Sequence, residues 1–283
     1  MLKTPDRDNL HKIVLLNPKG GSGKTTLATN LASYYAQTGL PPTLVDCDPQ
    51  GYSTRWVEKR PPDRPKVHGI AANRPENDPL RGGTLQVWPD SRHLIVDLPA
   101  ALPLDRLYDY ICDAHSILIP VLPSAIDIYA ASRFIAELLL VSQIDRRDRQ
   151  LAVVANRTRQ NTVSYQKLMR FLTSLRIPLI AQLRDSQSYV HAAGEGLGIH
   201  DLPAWRVRED IRQMQAIFAW LDQWRMRRLD SEASSRFEHR PGAEVLTPTS
   251  PRHHHRIESG GHDELAELAA PDETAPEHSH LEP

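Results

Sequence analysis

The chain has 283 residues, 40% of them hydrophobic and 24% charged, which is ordinary for a soluble protein with a sizeable core and allows one large domain or two small ones. The polar N-terminus has no apolar signal-peptide segment, and the most apolar stretch, 116–141, is interrupted by proline and charged residues. The sequence therefore predicts neither secretion nor a membrane span. Two cysteines without metal-site spacing argue against a disulfide scaffold and predict a reducing cytoplasm.

The net charge of −1 is unevenly distributed along the chain. Residues 231–283 hold four Arg and eleven Asp or Glu, a charge of −7, whereas the rest of the chain holds 30 Lys and Arg against 24 Asp and Glu, a charge of +6. The acidic segment is rich in Pro, Ser, Glu, Ala and His and poor in large apolar residues, so we predict that it is disordered. The basic body permits a polyanionic partner.

Short apolar runs alternate with helical patterns along the body. In chain order they predict strand 13–16, helix 25–37, strands 43–46 and 94–97, helix 104–113, strand 117–121, helix 127–141, strand 151–155, helix 164–175, strand 179–183 and helix 209–228. Continuous Val, Ile and Leu strands separated by helices indicate a three-layer α/β fold, in which helices cover both faces of a mostly parallel, twisted sheet. Ligands of such sheets lie beyond the carboxyl ends of the strands.

The first predicted strand leads into a glycine-rich loop, NPKGGSGKTT at 17–26, and then into a helix. This context is that of a phosphate-binding loop, in which glycines let backbone N–H groups approach phosphate oxygens at the positive end of a helix. In such a loop Lys24 reaches the β- and γ-phosphates and the Thr25 hydroxyl binds Mg²⁺. In proteins with such a loop, an aspartate at the end of an apolar strand holds the same Mg²⁺ through water. Asp97 ends an apolar run in this way and is the candidate for that role.

The common loop has a glycine six residues before its lysine, but Pro18 stands there, and a second lysine, Lys19, precedes the pair Gly20 and Gly21. This KGGSGKTT form resembles the deviant loop of the ParA/MinD superfamily of dimeric ATPases, which have a P-loop NTPase fold. The resemblance covers roughly residues 12–225 and includes DCDPQ at 46–50 and IPVLPSAID at 119–127, in which Ala125 replaces the family's usual proline. Trp56 and SQSYV at 186–190 make the chain similar to small ParF-like partition ATPases.

The resemblance implies a site for the cofactors ATP and Mg²⁺. It implies three catalytic residues: Lys24, Lys19, which would cross a dimer interface to the ATP of the other subunit, and Asp48, near the attacking water. The implied nucleotide-binding residues of the loop are Lys19, Gly20, Gly21, Ser22, Gly23, Lys24, Thr25 and Thr26. The implied metal site combines Thr25, Asp46 and Asp97.

Three of these assignments have open alternatives. Lys19 could instead touch the phosphates of its own subunit. Asp46 ends a strand and could instead cap the next helix. Asn156, at the end of another strand, stands where such folds commonly recognise adenine, but an asparagine in that position can also cap its own loop.

The resemblance also implies partners. We expect a homodimer on ATP binding, non-specific binding to nucleoid DNA, and a cargo-bound ParB-like or adaptor protein that stimulates slow hydrolysis. Too few residues precede the first strand for a helix-turn-helix domain, so sequence-specific DNA binding is not expected. The candidate DNA-binding residues are Arg157, Arg184, Arg206, Arg208 and Arg212. The predicted domains are an ATPase domain, 1–230, and the acidic tail, 231–283.

Two other functions compete with a cytoplasmic, nucleoid-associated positioning ATPase. A MinD-like membrane regulator would use a late amphipathic helix, but the helix at 209–228 is followed by an acidic tail, and we expect its apolar stripe to dock on the core. A metabolic or maturation ATPase on the same fold would need features such as a cysteine pair, which Cys47 and Cys112 do not form. The cargo, whether plasmid, carboxysome, protein cluster or chromosome locus, is left open.

Overall fold

A computed structural model of the chain describes residues 7, 9–73, 85–100, 102–141, 151–158, 163–175, 177–224 and 226. These residues belong to one compact unit that spans residues 1–240. The predicted acidic tail, 231–283, lies outside the described residues, and the predicted domain boundary at 230 stays a prediction.

Seven parallel strands form the central sheet, in the order β3-β2-β4-β1-β5-β6-β7. Their bounds in chain order are β1 His11–Leu15, β2 Thr43–Asp46, β3 His68–Ala71, β4 His93–Asp97, β5 Ser116–Val121, β6 Leu151–Thr158 and β7 Leu179–Arg184. Most strand residues are fully buried, as expected of a sheet that is covered on both faces.

Helices cover both faces of this sheet. Their bounds are α1 Lys24–Ala36, α2 Tyr52–Lys59, α3 Leu104–Ile111, α4 Ala125–Val141, α5 Val163–Leu175, α6 Gln187–Gly194 and α7 Ala204–Asp222, with a short 3₁₀ turn at Ile199–Asp201 before α7. One hydrophobic cluster joins α1 and α7 to one face of the sheet, and a second joins α3, α4 and α5 to the other. The predicted three-layer α/β fold is confirmed, and the described strands are all parallel.

Three elements were not predicted, and the last helix has different bounds. Strand β3 and helices α2 and α6 are short and lack a long apolar run. Helix α7 begins five residues before the predicted start at Glu209 and ends at Asp222, well before the predicted end at Arg228. The early start follows Pro203, which occupies the N-cap position and is compatible with the first turn of a helix.

The apolar stripe of α7 packs on the core, as predicted. Met214, Ile217 and Leu221 are fully buried, and Phe218 and Trp224 are nearly so. Within the described residues, none of the helices combines the length and apolar character needed to cross a bilayer.

Strand register brings the candidate site residues together at one edge of the sheet. Asp46 at the end of β2 is the direct neighbour of Asp97 at the end of β4, and Asp97 is in turn the neighbour of Leu15 at the end of β1. Because β1 continues into the glycine-rich loop, two carboxylates and that loop converge at the carboxyl edge of the parallel strands.

A buried ion pair fixes the far end of α2. Arg60, which follows α2, donates two hydrogen bonds to Asp201, and the side chains of the two residues are 5% and 1% exposed. Asp201 also accepts hydrogen bonds from Ser33 Oγ and from the backbone N–H of Gly198. Burial alone would raise the pKa of Asp201, but these hydrogen bonds lower it below its usual value.

We predict that Arg60→Met destabilises the fold by about 3–5 kcal/mol, because it leaves the Asp201 carboxylate buried without its cation. Urea denaturation at pH 7 measures the loss, and the exposed Arg64→Met is the matched control. The loss should shrink at low pH, where the carboxylate becomes neutral. A loss below about 1 kcal/mol at pH 7 would show that the pair contributes no more than a surface salt bridge.

Candidate functional site

The loop between β1 and α1 has the conformation of an anion-binding turn. Gly21 and Gly23 have φ angles of 74° and 100°, in the left-handed region that favours glycine. A Cβ on Gly23 would lie 2.1 Å from the Asn156 side-chain nitrogen, so a larger residue would have to displace that side chain as well as adopt a strained backbone. The hydroxyl of Ser22 is buried and, among the described residues, has no hydrogen-bond partner. The loop therefore holds a buried hydroxyl that no group in the described part of the chain satisfies.

Asn17 holds the start of this loop, a role that the sequence did not suggest. Its side-chain nitrogen donates to the Pro120 carbonyl at 2.7 Å, and its side-chain oxygen accepts from the Lys19 N–H at 2.8 Å. Its own carbonyl accepts from Lys24 Nζ at 3.3 Å. Burial lowers the pKa of Lys24, while the charges of Asp97 and Asp48 act in the opposite direction. The buried ammonium thus lies among carboxylates behind the loop.

Asp97 is a buried carboxylate with one satisfied oxygen. Its Oδ2 accepts from Thr25 Oγ1 and from Ser53 Oγ, each at 2.7 Å. Its Oδ1 is buried and has no hydrogen-bond partner among the described residues. Burial raises the pKa of Asp97 to about 6, although the two hydroxyl hydrogen bonds and Lys24 lower it. Such an oxygen is a natural acceptor for a water bound to a cation.

The carboxylate of Asp46 is occupied by its own chain. Its Oδ2 accepts from the backbone N–H and the hydroxyl of Thr54, in the first turn of α2, at 2.7 and 2.8 Å. Its Oδ1 accepts from the Asp48 N–H at 3.1 Å. These are the helix-capping contacts of the alternative that the sequence left open. A place for Asp46 near Mg²⁺ therefore stays a prediction.

Asp48 lies in the turn that joins β2 to α2. Its Oδ1 accepts from the Gln50 N–H at 2.9 Å, which forms a side-chain-mediated turn. Its carbonyl accepts from the Gly51 N–H and from the side chain of Asn73, a residue that the sequence analysis did not identify. The turn fixes Asp48 at the same sheet edge as the glycine loop.

The Lys19 side chain pairs with a carboxylate outside the glycine-rich loop. Its Nζ lies 2.7 Å from Asp127 Oδ1, at the first turn of α4. The Lys19 side chain is 41% exposed, whereas the carboxylate of Asp127 is 9% exposed and also accepts from Ser124 Oγ. The two lysines of the loop therefore differ: Lys24 is buried inside the site and Lys19 lies at its rim.

A cavity of about 260 Å³ opens beside the start of α1. Its lining includes Gly23, Thr26, Asn156, Asp185 and Tyr189. The Asn156 side chain lines it but is already used, because its nitrogen donates to the Ser22 carbonyl and its oxygen accepts from the Arg157 N–H. These are loop-capping contacts, so the adenine contact predicted for Asn156 stays a prediction. The cavity itself continues the glycine loop towards β6 and β7.

The five candidate DNA-binding arginines differ in their contacts. Arg184 makes a two-pronged hydrogen bond to the fully buried Asp210, and Arg212 makes one to Glu209. Arg157 Nε lies 3.8 Å from Asp185 Oδ1. Arg206 and Arg208 are exposed near the start of α7.

These residues fit a nucleoside triphosphate with Mg²⁺. The left-handed glycines leave room for phosphate oxygens against backbone N–H groups, and Lys24 supplies a buried cation. The Thr25 hydroxyl gives its proton to Asp97, so its oxygen lone pairs are free for a metal ion, and Asp97 Oδ1 faces no protein donor in the described chain. A bound Mg²⁺ would neutralise charge on the phosphates.

Fold and site together define a phosphate-loop nucleotide-binding protein of the parallel α/β type. The sequence profile of the CobQ/CobB/MinD/ParA nucleotide binding domain matches residues 13–199. The chain therefore belongs to this family, and the predicted resemblance to ParA/MinD ATPases is confirmed.

Relatives of known role lie among partition and positioning ATPases. The maintenance of carboxysome distribution protein A of Halothiobacillus neapolitanus is 28% identical over 193 residues, which covers 68% of this chain and 88% of the relative. The chromosome-partitioning ATPase Soj of Thermus thermophilus is 40% identical over 93 residues, 33% of this chain and 34% of the relative. An ATP complex of Cyanothece McdA has the same fold at 16% identity, with a TM-score of 0.57 over 75% of this chain and 97% of that chain.

We predict that Asp97→Asn stabilises the nucleotide-free protein at pH 8 by up to about 3 kcal/mol, at about 1.4 kcal/mol per pKa unit. Between pH about 4 and about 6, the unfolded chain loses the Asp97 proton while the folded chain keeps it, so rising pH destabilises the fold. Asparagine still accepts from Thr25 and Ser53 but carries no charge to bury.

Urea denaturation at pH 8 and pH 4 measures this effect, with the exposed Asp63→Asn as the control. The gain of Asp97→Asn should be present at pH 8 and nearly vanish at pH 4. A variant that is equally or less stable than wild type at both pH values would contradict the raised pKa.

Proposed function

We propose that the protein is an ATPase that forms an ATP-dependent sandwich dimer, binds nucleoid DNA non-specifically and positions or partitions a cellular cargo. Membership of the ParA/MinD family supports the ATPase chemistry. The observation that carries the proposal is the separation of the two loop lysines, because Lys24 is buried in the site while Lys19 is half-exposed at its rim. A cation at the rim is placed to serve a neighbouring subunit.

Within one subunit, each residue of the loop has a proposed role. Backbone N–H groups of residues 20–24 and Lys24 would bind the β- and γ-phosphates, and Thr25 and Asp97 would hold Mg²⁺. Asp48 would orient the attacking water. The cavity next to Gly23 and Thr26 would receive the nucleoside.

Dimerisation brings two triphosphates close together, and this has an electrostatic cost. At an effective dielectric constant of 20, each pair of like unit charges about 10 Å apart repels by about 2 kcal/mol. A lysine from each subunit that reaches the other subunit's ATP would offset this repulsion only when both nucleotides are present. To do so, Lys19 must leave Asp127.

The surface around Lys19 supports a covered interface. Ile126 and Tyr129, on either side of Asp127 in α4, are 73% and 70% exposed. Large apolar side chains this exposed are stabilised when a partner surface buries them. We propose that a second copy of the chain covers them in the ATP state.

We predict that ATP with Mg²⁺ converts the monomer to a dimer and that Lys19→Ala remains monomeric. Size-exclusion chromatography with light scattering measures the mass of each. The variant should still bind a fluorescent ATP analogue within about threefold of wild type, because Lys24 and Thr25 remain; about threefold corresponds to less than 1 kcal/mol. The exposed Lys66→Ala is the matched control and should dimerise normally.

Normal ATP-dependent dimerisation of Lys19→Ala would refute the trans role of Lys19. A wild type that stays monomeric with saturating Mg²⁺ and ATP would refute the sandwich dimer itself.

The DNA-binding part of the proposal depends mainly on Arg206 and Arg208. Both are exposed near the start of α7, while Arg184 and Arg212 are neutralised in part by Asp210 and Glu209. The charge of +6 on residues 1–230 gives the body the sign that DNA attracts. Binding of this kind releases counterions and therefore weakens steeply with salt.

We predict that the ATP-loaded protein binds random-sequence DNA at low salt and that Arg206→Ala/Arg208→Ala binds it more weakly. The slope of log affinity against log salt should fall by about 2, since two phosphate contacts are lost. Fluorescence anisotropy with a labelled duplex measures both quantities, and Arg133→Ala on α4 is the control. If the wild type does not bind the duplex at low salt, nucleoid association is wrong.

Hydrolysis of ATP would separate the two subunits and release them from DNA. A partner protein carried by the cargo would stimulate this hydrolysis. The relatives act in carboxysome distribution and chromosome partitioning. This supports a cargo of that kind, a protein assembly or a DNA molecule, for this chain. Association with the nucleoid would follow from DNA binding. The membrane alternative has no support from α7, since its apolar stripe is already buried in the core.

A further inference from the structure

Ser53 makes a contact that neither the loop motif nor the family assignment explains. Its side chain is fully buried in the first turn of α2, and its Oγ donates to Asp97 Oδ2 at 2.7 Å. Thr25, from the glycine loop, donates to the same oxygen at the same distance. One carboxylate oxygen therefore accepts two hydroxyl protons from two different elements.

Two donors on one oxygen fix the rotation of the Asp97 carboxylate. With Oδ2 held between Thr25 and Ser53, Oδ1 has a defined direction, and in the described residues it is buried without a hydrogen-bond partner. A buried, negatively charged oxygen without a donor costs free energy, and a cation or its bound water would recover that cost. The arrangement is that of a carboxylate held ready for a positive ligand.

The neighbouring residue strengthens this arrangement. Thr54 donates both its N–H and its hydroxyl to Asp46, the strand neighbour of Asp97. The consecutive hydroxyls of Ser53 and Thr54 in the first turn of α2 thus bind the carboxylates of two neighbouring strands. Gly51, with a φ of 68°, lets the chain turn from the Asp48 loop into this helix. A side chain of α2 can therefore fix Asp97 while the loop before it carries Asp48.

We propose that Ser53 is a positioning residue: its hydroxyl orients the Asp97 carboxylate so that Oδ1 faces the Mg²⁺ that accompanies ATP, and it thereby sets the affinity of the site for Mg²⁺. This inference rests on the proposed function, in which Thr25 and Asp97 hold that ion. Residues that orient a metal-binding carboxylate typically change metal affinity about 10–100-fold when they are removed.

The test is Ser53→Ala, which removes one hydroxyl and leaves the Thr54–Asp46 contacts in place. Binding of a fluorescent, non-hydrolysable ATP analogue is measured at increasing Mg²⁺ and, separately, in excess EDTA. We expect the half-saturating Mg²⁺ concentration to rise about tenfold, at the lower end of the range for such residues. Affinity for the analogue in EDTA should stay within about twofold, or about 0.4 kcal/mol.

Ser33→Ala is the matched control, because Ser33 is also fully buried and donates to a carboxylate, Asp201, at 2.7 Å. It removes the same kind of hydrogen bond away from the site, so it should lower stability and leave the Mg²⁺ response unchanged. If Ser53→Ala behaves like this control, Ser53 is only structural and the inference is overturned.

The outcomes also separate this inference from the proposed function. If wild-type binding of the analogue does not respond to Mg²⁺, the proposed Mg²⁺ site is wrong, and the role of Ser53 is refuted with it. If the wild type responds and Ser53→Ala responds equally, only the role of Ser53 is refuted. A tenfold shift confined to Ser53→Ala supports both.

Discussion

A buried carboxylate that its own protein only half satisfies is the constraint on which this site depends. Strand register places Asp97 at the carboxyl edge of the sheet, where burial raises its pKa to about 6. Thr25 and Ser53 satisfy one oxygen, and the second is left for a ligand. In the described residues, the buried Ser22 hydroxyl of the glycine loop likewise has no hydrogen-bond partner. The nucleotide-free fold therefore carries a local cost that a metal-bound nucleotide would remove.

The two lysines of the glycine loop, Lys24 and Lys19, have different surroundings, and we propose different electrostatic roles for them. Lys24 is buried behind the loop, where it can neutralise the triphosphate of its own subunit. Lys19 is held by Asp127 at the rim, beside the exposed Ile126 and Tyr129. We propose that a lysine in this position offsets the repulsion between two nucleotides across an interface. Burial thus separates a binding lysine from the proposed dimerising lysine.

Much of the fold could be predicted because its strands are continuous apolar runs, such as 117–121 and 151–155, that can only be buried on both faces. Strand β3, with Gly69 at its centre, and helix α2, which buries only Ser53 and Trp56, carry no such signal. Both are held by tertiary contacts, among them Arg60 with Asp201 and the Trp56 hydrogen bond to the Leu197 carbonyl. Local sequence patterns do not encode those contacts.

The sequence could indicate those candidate site residues that are close together along the chain. It could not indicate the contacts between residues that only the fold brings together. The glycine loop, its lysines and its threonine are contiguous, and Asp97 ends a clear apolar run. The pairs Ser53–Asp97 and Lys19–Asp127 join residues far apart in sequence, so no spacing reveals them. The sequence left two interpretations of Asp46 open; the Thr54 contacts on α2 show the helix cap, and a place near Mg²⁺ stays a prediction.

The central claim, that each subunit lends Lys19 to its partner's ATP, can be tested by mixing two inactive variants. Lys19→Ala keeps Asp48 to orient the attacking water, and Asp48→Ala keeps Lys24 to bind ATP and Lys19 to donate. A mixed dimer would contain one complete site only if Lys19 acts across the interface. We predict that ATP hydrolysis, negligible for each variant alone, returns in the mixture; a mixture as inactive as its components would contradict the claim.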